Sequence, residues 1–214
     1  MRRAAFALAA LGFGLVSSAA SQTRVGLVVG LYQQPEPNGA RKALVQVRDL
    51  LADPRWSQAL DQSFPIRLSF RLEIWHSRDG WIDAFQRATE WSTVIQWEPL
   101  EDQYRVRRIL LSGEEEFRFT GREELDRWIR QINLVDALPQ GTGTFYYNVK
   151  LRITALSDDD MEELERFLAG QSGASPRPER SSIGRSVRRF LLRMAGLPWE
   201  ELEVKSGKFT ARRR

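Results

Sequence analysis

The stretch Ile66-Arg67-Leu68-Ser69-Phe70-Arg71-Leu72-Glu73-Ile74 alternates apolar and polar side chains at every step. Neighbouring side chains of a strand point to opposite faces, so this period of two predicts a half-buried β-strand with Arg67, Ser69, Arg71 and Glu73 outward. A second alternation runs through Trp81, Phe85, Trp91, Ile95 and Trp97, with Gln86, Glu90, Ser92 and Gln96 on the other parity. Ser77, Arg78, Asp79 and Gly80 between the two runs carry turn chemistry, which predicts a hairpin.

More strand signals lie on either side. Tyr104–Leu111 and Phe117–Phe119 flank a polar turn at Ser112–Glu116, and Phe145, Tyr147, Val149, Leu151 and Ile153 give a long later strand. Upstream, Val25–Tyr32 and Ala43–Leu51 flank a loop of Pro, Asn and Gly and read as an opening pair. Helices carry their own punctuation. Asp53-Pro54 is a cap and first-turn proline for a short helix holding Trp56, Ala59 and Leu60. Thr120 and Glu123 form a capping-box pattern before Leu125, Trp128, Ile129 and Ile132. Ser157 and Asp158–Asp160 open a third helix with Met161, Leu164, Phe167 and Leu168 on its apolar side, and Gly170 stops it. Strands do not alternate with helices as a parallel sheet requires. The fold class is mainly β (α+β), an antiparallel β-sandwich or curled sheet with packed helices and a C-terminal helical extension.

Arg2 and Arg3, the apolar run Ala4–Val16 and the small residues Ser17–Ser21 have the form of a secretory signal peptide. That run is shorter than the roughly 20 residues a spanning helix needs, and no later run is long enough, so cleavage near Ser21 and no transmembrane span in the mature chain are expected. The expected location is the periplasm or the exterior. With no Cys, neither a disulfide nor a lipid-bearing cysteine supports the mature protein, and packing must hold it together.

Gly, Ser, Pro and Arg dominate 170–182, which reads as a flexible linker, and a cut there is expected to leave a folded fragment ending near Ala169. Beyond it Ile183, Val187, Phe190, Leu191 and Met194 fall at helical spacing opposite Arg185, Arg188, Arg189 and Arg193. Leu202–Ala211 offers a turn at Ser206-Gly207. The expected division is therefore 1–21 signal peptide, 22–169 β-rich domain, 170–182 linker and 183–214 basic extension. Charge follows that division. From Pro176 onward there are 11 basic and 4 acidic residues, whereas the mature chain before it has 19 basic and 24 acidic, so the pI of 9.7 describes a tail on an acidic domain.

The segments Ala59-Leu60 with Phe64-Pro65-Ile66-Arg67-Leu68-Ser69-Phe70, the Arg78–Trp81 turn, and Pro99-Leu100-Glu101-Asp102-Gln103-Tyr104-Arg105-Val106 recur in order. Together they resemble the exported bacterial proteins grouped as domain of unknown function family 4390, over about Ala43–Ile153. Two departures stand out: Glu98-Pro99 replaces the family's Tyr-His, and its Leu-Pro ending gives way to the Met161 helix, the linker and the basic tail. The resemblance implies an envelope β-domain with no assigned activity or site residues. The family's genes often lie beside a sensor kinase, which implies a link to envelope signalling.

Catalytic chemistry finds little support in the residues. There is no Cys and no Gly-x-Ser-x-Gly elbow, and His76, the one histidine, sits at a strand end without partners and reads as structural. Asp158–Asp160 lacks calcium-loop spacing and suits a helix N-terminus, while Glu114–Glu116 reads as a solvated turn. No metal or cofactor is expected. Trp75, Trp91, Trp97 and Trp128 read as packing. Glu73 and Glu90 share the polar parity of adjacent strands, which keeps an envelope polymer-active enzyme with paired carboxylates as the alternative function. The favoured function is a non-catalytic binding or adaptor module for an envelope protein or an anionic lipid surface. Its candidate contacts are Arg67, Arg71, Arg105, Arg107, Arg118, Lys150 and Arg152, which share a sheet face if their strands are neighbours, and Arg185, Arg188, Arg189 and Arg193 on the basic helix. An ordinary solvated face with glutamates interleaved is the plain reading of the first group. Nucleic acid is not an expected partner, since no recognition motif for it is present.

Overall fold

The computed structural model describes residues 23–155 and 198–213. The signal segment, the Ser157 helix, the linker 170–182 and the basic helix with Arg185, Arg188, Arg189 and Arg193 lie outside the described residues. The chain runs β1 (Gly26–Leu31), β2 (Ala43–Arg48), α1 (Pro54–Asp61), β3 (Ile66–Ser77), β4 (Ala84–Glu98), β5 (Gln103–Leu110), β6 (Gly113–Phe119), α2 (Arg122–Ile129), β7 (Asn133–Val135), β8 (Gly143–Thr154), β9 (Trp199–Lys205) and β10 (Phe209–Ala211). The fold is mainly β, with two antiparallel sheets and two short helices. One sheet has the order β1-β2-β7; the other has β10-β8-β3-β4-β5-β6, with β9 also on β8.

The period of two in β3 and β8 does what it predicts. Ile66, Leu68, Phe70, Leu72 and Ile74 are buried beside Phe145, Tyr147, Val149, Leu151 and Ile153, and Val45 and Val47 of the smaller sheet belong to the same core. Asp53 caps α1, its Oδ1 accepting from Arg55 N at 3.0 Å, and Trp56, Ala59 and Leu60 go into the core. The α2 start differs from expectation. Gly121 occupies the cap position and no side chain caps the helix, so the Thr120 box does not form; Ile132 lies past the helix end, 58% exposed. What anchors α2 is Leu125, Ile129 and Trp128, whose ring packs on Phe117 at 5.1 Å.

Three further expectations change. Glu114–Glu116 belong to strand β6, opposite Ile109, Arg108 and Arg107, because opposite charges across an antiparallel pair favour continued pairing over a turn. Trp81 and Phe85 do not share a face with Trp91. The β3–β4 ladder shifts register between Ile74 and Trp75, passing over Gln86, so Phe85 lies opposite Trp75 on the outer face, and Trp81 stands in the turn. Ser206-Gly207 does not reverse the chain. Lys205 pairs Asn148 and Phe209 pairs Phe145, so three residues bulge against two and β9 and β10 form one interrupted edge along β8. The segment 199–211 thus completes the larger sheet, and a C-terminal extension cannot begin at 183 and include it.

Tyr147 ties the layers together. Its hydroxyl lies 2.6 Å from Arg41 O and 2.8 Å from Ala137 O, so it anchors the loop after β1 and the segment after β7 to β8, and burial pushes its phenol pKa well above the usual range. Tyr147→Phe should lower stability by about 1 to 2 kcal/mol in urea unfolding, because the two carbonyls lose the one hydroxyl hydrogen they share in a buried setting.

Candidate functional site

The register settles which cations meet. Arg71 lies opposite Lys150 and Glu90, Ser69 opposite Arg152, and Arg67 opposite Thr154 and Val94. Val94 faces Arg107, Gln96 faces Arg105, and Arg105 faces Arg118. Arg67, Arg71, Arg105, Arg107, Arg118, Lys150 and Arg152 therefore share the outer face of the larger sheet. They share it with glutamates. Arg105 Nη2 meets Glu98 at 2.5 Å, Arg107 meets Glu114 at 3.6 Å, and Arg118 meets Glu101 and Glu116, each at 2.9 Å. Arg67 donates to Ser92 Oγ at 3.2 Å.

The middle of this face is a cleft of about 480 Å³ whose charged lining is Arg71, Lys150, Arg152, Glu73, Glu90 and Glu201. Its hub is Glu73, 5% exposed. One carboxylate oxygen accepts from Arg71 Nε at 2.9 Å and Lys150 Nζ at 3.3 Å; the other accepts from Trp75 Nε1 at 3.1 Å and Asn148 Nδ2 at 3.2 Å. Burial would push the Glu73 pKa up, but these four donors outweigh it and hold it at about 2. Arg71 reaches Glu90 with its other end, and its own pKa is raised by the bond to Glu73. Glu73 lies opposite Ala88 and Glu90 opposite Arg71, so the two carboxylates do not face one another directly but hold the same guanidinium. A general acid must hold a proton at working pH, and the donors around Glu73 favour its ionised form. An anion entering this cleft would compete with built-in carboxylates for each paired cation; Arg152 makes no ion pair among the described residues.

A second feature escaped the sequence reading. The β3–β4 hairpin ends in Trp81 at 75% exposure, Ile82 at 82% and Phe85 at 47%. This tip is held: Asp83 accepts from Arg78 N at 3.1 Å and from Tyr146 Oη at 2.9 Å, and Trp75 meets Phe85 edge-on at 5.6 Å. Backbone and tyrosine donors, with Lys208 nearby, lower the Asp83 pKa. Lys205 Nζ sits 5.4 Å from the Tyr146 ring centre. Exposed apolar side chains, Arg78, Lys205 and Lys208 therefore meet at one end. The Arg78-x-x-Trp81 turn was legible; the register shift that turns Phe85 outward was not. His76 stacks on Phe145 at 4.9 Å, and no acidic or histidine cluster suited to a metal occurs among the described residues.

The larger sheet thus carries an outer face on which cations and glutamates alternate, and the β3–β4 hairpin end is apolar and basic. The chain belongs to the family described as Domain of unknown function (DUF4390), whose model matches residues 45–160. That span holds β3–β8 and the Arg78–Trp81 turn and leaves out β9 and β10. No curated protein and no solved structure matches the chain.

Proposed function

We propose that this chain is an exported, non-catalytic envelope module that seats its β3–β4 hairpin end on an anionic lipid surface. The observation that carries the reading is the exposure of Trp81, Ile82 and Phe85 beside Arg78, Lys205 and Lys208. Trp is suited to the headgroup boundary, where its ring leaves water and its N–H stays wet. Cations close to an anionic leaflet add about 1 kcal/mol each. Because Asp83 and Tyr146 already fix the tip, little ordering entropy opposes docking. Export is supported by the charge and length pattern of residues 1–21. No helix among the described residues is long and apolar enough to cross a membrane, and the proposed attachment through the hairpin end is peripheral.

Co-sedimentation with phosphatidylcholine vesicles containing phosphatidylglycerol tests this. The protein should bind them, and W81S/I82S should bind roughly thirtyfold more weakly, the loss of about 2 kcal/mol of apolar burial. Equal binding by the variant, or binding of the hairpin end to an envelope protein but to no vesicle, would sink the lipid reading. N-terminal sequencing of the protein recovered from the envelope should begin near Ser21 or Gln22.

A further inference from the structure

A cleft of about 840 Å³ lies between the loop that follows β1 and the strand β10. Arg41, Lys208, Arg212 and Arg213 line it, and Glu36 is its one acidic lining residue, 3.7 Å from Lys42. On the outer sheet face Arg71, Arg105, Arg107, Arg118 and Lys150 are each bonded to a carboxylate. In this cleft none of the four cations makes an ion pair among the described residues. Lys208 has Asp83 nearby, but Arg41, Arg212 and Arg213 gather with Glu36 as the one acidic lining residue, and like charges with so few counter-ions repel one another and lower stability. A bound anion would relieve that repulsion.

The walls are fixed before any ligand arrives. Within the loop, Glu36 N donates to Ala40 O and Gly39 N to Glu36 O, both at 2.7 Å, while Ala40 N donates to Asn38 Oδ1 at 3.0 Å. Across the cleft, Arg212 N donates to Asn38 O at 2.8 Å. Gly39 has φ +81° and a Cβ there would lie 2.8 Å from Thr210 O, so the loop closes on β10 because this position lacks a side chain. The floor is Phe209, stacked on Tyr147 at 5.2 Å, and Tyr147 in turn holds Arg41 through its carbonyl.

We infer that this cleft binds a phosphate group of more than one negative charge, held by Arg41 and Arg212 with Lys208 and Arg213 adding charge. Phosphate fits because guanidinium forks bond its oxygens in pairs, and because one carboxylate could not neutralise four cations. The site does not rest on the lipid reading, although a lipid headgroup and a soluble phosphoester both offer this chemistry.

Calorimetric titration of the full chain with inorganic pyrophosphate tests it. Wild type and W81S/I82S should bind alike, and R41Q/R212Q should bind at least about tenfold more weakly, since charge-assisted bonds are lost. R41K/R212K, which keeps the charge, should recover part of the affinity. Equal affinity in a folded R41Q/R212Q, or no saturable binding by the wild type, overturns the site. Adding pyrophosphate to vesicle-bound protein separates the sources: displacement assigns the cleft to a headgroup phosphate, and no displacement of a pyrophosphate-saturated protein assigns it to a soluble one; either upholds the site. W81S/I82S that loses vesicles but keeps pyrophosphate shows that the two surfaces act separately.

Discussion

A chain ending at Gly170 should lose its cooperative thermal transition, whereas a chain in which 156–197 are replaced by Asn-Gly should fold and melt cooperatively. The truncation removes β9 and β10, which pair with β8 from Thr154 down to Gly143. With them go the buried Phe209 and Ala211 and the partly buried Leu202 and Val204. Deleting a buried Phe alone costs about 3 to 5 kcal/mol, and a whole domain has about 5 to 15 kcal/mol, so a loss on this scale unfolds it. The internal replacement removes none of these contacts. Ala155 N donates to Pro198 O at 3.3 Å, so the two strands already approach as a hairpin at that point, and Asn-Gly suits a two-residue connection. For the same reason a protease cut within 170–182 should not release a fragment ending near Ala169 from the remainder. The piece carrying 199–211 should stay bound through β8 until denaturant is added. Circular dichroism melts of the two deletions, and size-exclusion of the nicked protein with and without urea, check both statements. A cooperative transition in the truncated chain would show that β9 and β10 add little.

Local signals account for what was legible. The alternation of Ile66 to Ile74 and of Phe145 to Ile153 gives strand identity and buried face together, because the pleat itself has a period of two. Asp53-Pro54 specifies a helix start with no tertiary help. The unread elements are those decided by distant partners. β7 has three residues, too few for a periodic signal, and exists through its pairing with β2. β9 reads Glu200, Glu201, Leu202, Glu203, Val204, Lys205, a charged run whose Leu202 and Val204 gain a strand role only against β8. The turn of Phe85 to the outer face depends on a register shift fixed by the whole β3–β4 ladder, where a one-residue slip changes the face.

The candidate site divides on the same line. That Arg67, Arg71 and Lys150 share a face follows from parity once β8, β3 and β4 are neighbours, and the glutamates between them were visible in the same run. Parity cannot show that Glu73 would gather four donors from two strands. The cleft of Arg41 and Arg212 joins residues far apart in the chain through the Asn38 carbonyl, a contact with no sequence signature.

Glu73→Gln should cost about 2 to 3 kcal/mol near neutral pH and progressively less in acid. The Glu73 carboxyl has its pKa lowered from 4.5 to about 2 in the folded protein. A lowered folded-state pKa means that the ionised group stabilises the fold above the unfolded value, and that this stability fades as pH falls from about 4.5 through about 2. At about 1.4 kcal/mol per unit the shift corresponds to about 3 kcal/mol, and solvent screening of the half-exposed Arg71 trims that figure. Gln keeps the shape and one acceptor oxygen but cannot compensate Arg71 and Lys150 together. Glu90 is the contrast: its side chain is 60% exposed and its ion pair with Arg71 is at the surface, so Glu90→Gln should cost under about 0.5 kcal/mol. Urea unfolding of wild type, E73Q and E90Q at neutral pH and at successive acid steps reads both differences. If the gap between wild type and E73Q stays constant down to about pH 2, the carboxylate charge is not what holds the middle of this sheet, and burial of Trp75 and Asn148 around it must be.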